Sequence, residues 1–137
     1  MVTGKYYKTI PISVRRQCTE VTNNYTSDDS CTNIVFFNKN EEAIGVAYIN
    51  YESFKLIKNK PIFSIYINSF EVCHDQQGKG YGPQMLKWIE KHLPIYRIEL
   101  CHREVSIDNK RSYNFWRSQG FRKPDKRYQT LVKRINK

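Results

Sequence analysis

The sequence FEVCHDQQGKGYG, from Phe70 to Gly82, joins an apolar stretch of the chain to an amphipathic one. Three of its last five residues are glycine, so the backbone can turn sharply and approach a ligand without a Cβ atom in the way. If a helix follows, its first N–H groups and the positive end of its dipole point into the turn. The stretch therefore predicts a phosphate-binding turn. It differs from a Walker A loop, because no Gly-Lys-Ser/Thr follows, and from the G-x-G-x-x-G turn of dinucleotide-binding folds.

The hydrophobic pattern changes period across this turn. Pro61–Cys73 is almost continuously apolar, which is typical of a strand covered on both faces. From Gly82 to Leu93 the apolar residues recur at helical spacing, and Pro83 falls in the first turn, where its missing N–H is not needed. Pro94 predicts the end of this helix. The turn therefore lies between a central strand and an amphipathic helix.

The other elements are predicted from the same local cues. In chain order they are an edge strand over Tyr6–Val14, a short helix or loop within Arg15–Thr32, a hairpin of Asn33–Asn38 and Ala43–Leu56, a strand over Ile95–Val105, a second helix capped by Asp108 or Asn109 and ended at Gly120, and a last strand over Tyr128–Ile135. This order predicts an α/β (α+β) fold, with a mixed sheet and flanking helices, in a single domain over residues 1–137.

The composition indicates which kind of protein this is and which kind of partner it binds. The chain has 137 residues, of which 14% are aromatic, enough apolar surface for one folded core. It has no 18-residue apolar run and no signal peptide, so we expect a cytoplasmic protein without a membrane segment. The net charge of +10 favours an anionic partner, either a phosphate-rich cofactor or nucleic acid. Nucleic acid is not favoured, because the basic residues are spread along the chain without a block of like charges.

The four cysteines are predicted to be reduced thiols. Cys18, Cys31, Cys73 and Cys101 are far apart in a chain of ordinary size, unlike the dense cysteines of disulfide scaffolds. Cys73 and Cys101 are each followed by a histidine, but adjacent residues on a strand point to opposite faces and cannot easily share one zinc ion. We therefore expect no metal site.

The glycine-rich turn and a second motif together resemble the GNAT superfamily of N-acetyltransferases. Members carry R/Q-x-x-G-x-G/A after the fourth strand, and this chain has Gln77, Gly80 and Gly82 in that register. Further along the chain, members carry N-x-x-A-x-x-L/F-Y-x-x-x-G-F. Residues at the same spacing here are Asn109, Ser112, Phe115, Trp116, Gly120 and Phe121. The resemblance covers about Ala43 to the C-terminus and implies a GNAT fold with splayed central strands.

The resemblance also implies acetyl-CoA as co-substrate. Its pyrophosphate would be bound by backbone N–H groups of the turn, from Gln77, Gly78, Lys79, Gly80, Tyr81 and Gly82. Its pantetheine arm would pair with the backbones of Phe70 and Val72, like an added strand. The second helix would contribute Asn109, Ser112 and Trp116 to the same site. Three basic side chains either bind the cofactor phosphates or form a solvated edge, namely Lys79, Lys110 and Arg111.

The reaction implied is attack of a primary amine on the thioester, which needs a base and a proton donor. Glu104, Glu71 and His74 are alternative bases; Glu104 precedes Val105 as in the ribosomal-protein N-terminal acetyltransferases. The backbone N–H of Val72 is nearest to the position that binds the oxyanion in the family. Where the family has a tyrosine as acid, this chain has Trp116, whose indole cannot give up a proton at useful pH. Tyr113, one turn away, is the substitute candidate.

The acceptor and the oligomeric state stay open. The N-terminal region has room for fewer helices than the family has, so the acceptor site is expected to be open or completed by another chain, for instance in a homodimer. A net charge of +10 disfavours polycationic acceptors, unless an acidic patch (Asp28, Asp29, Glu41 and Glu42) reverses the local sign. A different hypothesis is a GNAT-like module that binds acyl-CoA, or nucleic acid or another partner, with weak or no catalysis.

Overall fold

The computed structural model describes residues 1–18, 30–100, 110–124 and 130–136. Six strands, three α-helices and a 3₁₀ turn lie within these residues. They are β1 (Thr3–Tyr7), α1 (Ile12–Arg15), β2 (Cys31–Phe37), β3 (Ala43–Ile57), β4 (Lys60–Val72), the 3₁₀ turn (His74–Gln76), α2 (Tyr81–His92), β5 (Ile95–Leu100), α3 (Lys110–Ser118) and β6 (Val132–Arg134).

The strands form one sheet in the order β1-β2-β3-β4-β5-β6. β1 pairs antiparallel with β2, and β2 with β3, with a bulge between Phe36 and Phe37. β4 pairs parallel with β5, and β5 pairs antiparallel with β6. The predicted mixed, mostly antiparallel α/β sheet is therefore confirmed. The last described pair between β4 and β5 is Ile67 with Leu100, and the predicted splay falls on residues 101–109, outside the described part of the chain.

The chain forms two compact units. The first comprises Met1–Asn50 and Asn68–Leu93. Its sheet is covered on both faces: Val35 packs in a buried cluster with Val14 of α1, and the next residue, Phe36, lies against Trp88 of α2 at 5.7 Å between ring centroids. Successive strand residues point to opposite faces, so the two helices bury opposite sides of β2.

The N-terminal strand is shorter than predicted. β1 ends at Tyr7, and Ile12–Arg15 forms a helical turn instead of the end of a strand. The N–H groups of Val14 and Arg15 both donate to the carbonyl oxygen of Pro11 at 3.0 Å. Proline fixes its own φ angle at a value that suits the residue just before a helix. Burial of the Val14 side chain in the cluster with Val35 then outweighs the preference of valine and isoleucine for strands.

The predicted helix after the glycine-rich turn is confirmed. α2 begins at Tyr81, so Pro83 is the third helical residue, and it ends at His92 with Lys91 and His92 in its last turn. Cations there are stabilised by the negative end of the helix dipole. Met85, Leu86 and Ile89 form its buried face.

The second unit comprises Tyr51–Ile67 and Pro94–Lys137. Its hairpin turns at Lys58 and Asn59, which both have positive φ (51° and 64°) as in a type I′ turn. α3 ends before Gly120, whose φ of 96° matches the predicted role at the helix end. Trp116 of α3 is 1% exposed and packs edge-on against Phe121 at 5.1 Å. Ile95, Ile98 and Leu100 of β5 are buried in the same unit.

Candidate active site

The glycine-rich loop has the left-handed backbone that its glycines predict. Gly78 has φ of 80° and Gly80, the residue before α2, has φ of 79°. A Cβ atom built on either residue would meet nothing within 4 Å. The space next to both Cα atoms is therefore open, and a ligand group can approach the backbone there without meeting a side chain.

The start of α2 supplies hydrogen-bond donors to this space. A helix leaves its first N–H groups without an intrahelical acceptor, here those of Gly80, Tyr81 and Gly82, since Pro83 has none. No acidic side chain lies in the first turn of α2. The helix dipole therefore favours an anion at this end, as the sequence predicts.

Side chains hold the loop to the end of β4. The Gln77 side-chain amide donates to the Val72 carbonyl oxygen at 3.3 Å. The Lys79 ammonium donates to Oε1 of Gln76 at 3.2 Å, and Gln76 itself is buried. The sequence leaves Lys79 as either a phosphate contact or part of a solvated edge, and it does not reveal that Gln76 positions this ammonium. That contact depends on the 3₁₀ turn, which the pattern does not predict.

The backbone of β4 presents alternate residues to its two edges. The N–H of Cys73 donates to the Ile44 carbonyl oxygen of β3 at 2.8 Å. Because backbone groups alternate along a strand, those of Phe70 and Val72 point to the edge away from β3. This edge lies on the side of β5, whose described pairing with β4 ends at Ile67 and Leu100. Binding of the pantetheine arm by Phe70 and Val72 stays a prediction.

Two of the three candidate bases lie together at the end of β4. Oε1 of Glu71 lies 3.7 Å from Nε2 of His74, with the Glu71 side chain 10% exposed and that of His74 53% exposed. The two form an ion pair only when His74 is protonated. Strand alternation places the Glu71 side chain on the face opposite Val72, beside the buried Cys73. Glu71 is therefore an inward carboxylate with a histidine neighbour, not a solvated edge residue.

α3 carries the described site residues of the second motif and its neighbours, and it belongs to the second unit. Ser112 and Tyr113 are half-buried on α3, whereas Lys110 and Arg111 are exposed. Trp116 is enclosed by Phe115 at 4.9 Å and Phe121 at 5.1 Å, so its packing role is evident. Glu104 and Asn109 lie outside the described residues. The structure thus brings together the loop, β4 and Glu71, and it leaves the roles of these other residues as predictions.

In the described ranges, no group of three or more histidine, cysteine, aspartate and glutamate side chains could hold a metal ion. Within the same residues, none of the helices has the length and apolar character needed to span a bilayer.

A mixed sheet whose fourth strand turns through an open glycine-rich loop into a helix N-terminus is the architecture of N-acetyltransferases. The sequence matches the acetyltransferase (GNAT) family over residues 5–121, and the chain belongs to this family. The predicted resemblance is therefore confirmed. No curated protein sequence matches the chain at a significant level.

Solved structures share the fold at low sequence identity, and one of them is an N-acetyltransferase. A mutant of the spermidine N-acetyltransferase SpeG from Vibrio cholerae aligns over 97% of this chain and 93% of its own, with 13% identity and a TM-score of 0.59. A mutant AtaT toxin, solved with acetyl-CoA and the C-terminus of its antitoxin AtaR, aligns over 76% and 68%, with 17% identity and a TM-score of 0.54. A mutant BH1408 protein from Bacillus halodurans aligns over 74% and 66%, with 21% identity and a TM-score of 0.53. The chain thus spans about two thirds of the length of the last of these proteins.

Proposed function

We propose that the protein is an N-acetyltransferase, a single domain over residues 1–137, that moves the acetyl group of acetyl-CoA to a primary amine by direct attack in a ternary complex. The observation that carries this proposal is the open loop at Gly78 and Gly80, which follows the part of β4 where the backbone groups of Phe70 and Val72 point away from β3. Membership of the GNAT family supports it, because acyl transfer from coenzyme A is the family's chemistry.

The cofactor would bind first through its pyrophosphate. The N–H groups of Gly80, Tyr81 and Gly82 at the start of α2 would donate to it, and the Lys79 ammonium, held by Gln76, would supply a nearby positive charge. The pantetheine arm would then follow the outer edge of β4 and pair with Phe70 and Val72. Further contacts are proposed for the second motif, from Asn109, Ser112 and Trp116.

The chain must then remove a proton from the amine and stabilise negative charge on the thioester oxygen. The Val72 N–H is proposed as the oxyanion donor because it points to the cofactor edge of β4. Glu104 is proposed as the base, with Glu71 and His74 as alternatives that the structure places side by side. Tyr113 is the proposed acid for the thiolate, because the buried indole of Trp116 cannot release a proton.

The net charge of the protein disfavours acceptor amines that carry several positive charges. At +10 the protein repels a polycationic amine over long range, so we propose a small or protein-borne amine without further positive charges nearby. A spermidine-like acceptor, which the name of SpeG specifies for that protein, is disfavoured here.

The test is acetyl-CoA binding by calorimetry, followed by release of free thiol with a panel of amines. Gly80→Val should weaken binding at least about tenfold, or 1.4 kcal/mol, because the side chain enters the open space over the loop. Asn59→Val is the matched control, since it places the same side chain at another positive φ, at the hairpin turn, and should leave affinity unchanged. Unchanged binding in a folded Gly80→Val protein would contradict the proposed loop.

The alternative function is tested by the same assay. A protein that binds acetyl-CoA through the loop but acetylates none of the amines would be an acyl-CoA-binding module. Binding of single-stranded nucleic acid, with a strong dependence on salt and no acetyl-CoA affinity, would instead favour a basic binding module.

A further inference from the structure

Two buried cysteines meet beside the glycine-rich loop. Cys18 follows α1, and Cys73 stands between β4 and the 3₁₀ turn that leads into the loop. They are 8% and 0% exposed, belong to the same cluster as Val14, Val35 and Val46, and are both free thiols. The other described cysteine, Cys31, lies apart from this cluster and accepts a hydrogen bond from the Asn50 side-chain amide at 2.9 Å.

A backbone hydrogen bond holds the two cysteines together. The His74 N–H donates to the Gln17 carbonyl oxygen at 2.9 Å. One of these peptide groups adjoins Cys73 and the other adjoins Cys18, so standard backbone dimensions keep the two Cα atoms within about 8 Å. Disulfides usually need Cα separations of about 4.4–6.8 Å, so at most a small movement separates the pair from a bond.

The thiols also interact directly. They share a side-chain hydrogen bond, which lowers the pKa of Cys73 as acceptor and raises the pKa of Cys18 as donor. Burial opposes ionisation of Cys73, as do the carboxylates of Asp75 and Glu71. A hydrogen-bonded thiol with a lowered pKa is the nucleophile of such a pair, and its partner is the resolving thiol.

We propose that Cys18 and Cys73 form a reversible disulfide when the protein meets a hydroperoxide, and that this bond weakens acetyl-CoA binding. The Cys73 thiolate attacks the peroxide oxygen, breaking the O–O bond, and becomes a sulfenic acid as hydroxide leaves. The Cys18 sulfur then attacks the Cys73 sulfur, and the hydroxyl group leaves with the thiol proton as water. The two thiols are oxidised by two electrons, and a dithiol reductant reverses the change.

The effect on the loop follows from the contacts of Cys73. Its N–H is bonded to Ile44, and its carbonyl oxygen accepts the Gln76 N–H at 2.9 Å. If Cys73 moves toward Cys18, the 3₁₀ turn and Gln76, which holds Lys79, must move as well. This second step rests on the proposed function, whereas formation of the disulfide does not.

The experiment treats the full chain with hydrogen peroxide, blocks remaining thiols and maps disulfides by mass spectrometry. We expect a Cys18–Cys73 cross-linked peptide that disappears with dithiothreitol, is absent in Cys18→Ser and in Cys18→Ala, and persists in Cys31→Ala. Two Cys18 variants are used because a serine hydroxyl in an apolar cluster can itself destabilise the fold. Absence of this peptide from the oxidised wild type, or equal cross-linking to other cysteines, would overturn the proposal.

Calorimetry with acetyl-CoA then tests the coupling. Oxidation should raise Kd at least about threefold, and reduction should restore it, whereas the Cys73→Ala protein, which lacks the thiol that reacts first, should respond to neither treatment. Cross-linking with unchanged affinity would overturn the coupling. If even the reduced protein does not bind acetyl-CoA, the proposed function fails, while the peptide map still decides the disulfide.

Discussion

The side-chain amide of Gln77 donates a hydrogen bond to the Val72 carbonyl oxygen at 3.3 Å. This contact joins the start of the glycine-rich loop to the end of β4. Gln77 is exposed, so the bond contributes little to the core. The bond instead positions the backbone N–H groups of the loop relative to the edge of β4 at which the pantetheine arm is proposed to pair.

Gln77→Ala is expected to lower acetyl-CoA affinity about three- to tenfold, because the loop donors are then no longer held against β4. The lost bond is exposed, so the melting temperature should fall by only a few degrees. Calorimetry and thermal unfolding measure the two effects. Gln119→Ala is the control, since that side chain also makes an exposed hydrogen bond, to Ser118 at 3.3 Å. Equal affinity of the Gln77→Ala and wild-type proteins would show that the tether is unimportant.

Gly45→Ala is expected to destabilise the fold by about 2–3 kcal/mol. A Cβ atom at this position would lie 2.6 Å from Sδ of Met85 and 2.7 Å from the Glu71 carbonyl oxygen. Met85 has a flexible side chain, but the Glu71 backbone cannot yield without disturbing β4. Urea unfolding should therefore show that Gly45→Ala remains costly when added to Met85→Ala. Full relief by Met85→Ala would mean that the side chain, and not the strand backbone, sets the limit.

Glu52→Gln is expected to raise stability at neutral pH and to leave it nearly unchanged below about pH 4. Desolvation raises the pKa of Glu52, the Glu99 carboxylate adds to the rise, and Arg97 opposes it. With a raised folded-state pKa, the native state binds more protons than the unfolded state as pH passes through that range, so wild-type stability falls as pH rises. Because Glu52 is largely exposed, we expect a gain of only about 1–2 °C in Tm at pH 7. Glu41→Gln, in an exposed turn, is the control for the loss of one negative charge. An equal gain in Tm for this variant would show that net charge, and not the surroundings of Glu52, causes the effect.

Glu104→Gln is expected to lower kcat by about 10²–10⁴ and to leave acetyl-CoA affinity nearly unchanged, if Glu104 removes the ammonium proton. The amide keeps the size of the side chain but cannot accept a proton near neutral pH. The pH–rate profile should lose the rise that the base controls. An effect below about threefold would exclude Glu104, and the base would then be sought with Glu71→Gln and His74→Ala, the neighbouring pair at the end of β4.

The segment that runs from β4 through the glycine-rich loop to α2 could be predicted from the sequence. Local preferences specify it: glycine permits the positive φ of Gly78 and Gly80, and hydrophobic period separates the strand from the helix. The second motif likewise predicted α3 and the end at Gly120. The family followed from the spacing of these two motifs, because each spacing reflects a backbone geometry.

The contacts of these elements depend on the folded structure and could not be predicted from the sequence. The sequence left Ile12–Val14 as a strand, but packing of Val14 against Val35 made a helical turn. It left Glu71 as one of three alternative bases and Cys73 as one thiol among four, whereas the fold sets Glu71 against His74 and Cys73 against Cys18. These contacts join residues that are far apart in the sequence, or they depend on which face of a strand is buried. Local hydrophobic periodicity does not predict such contacts, because their free energy comes from the burial of distant side chains against one another.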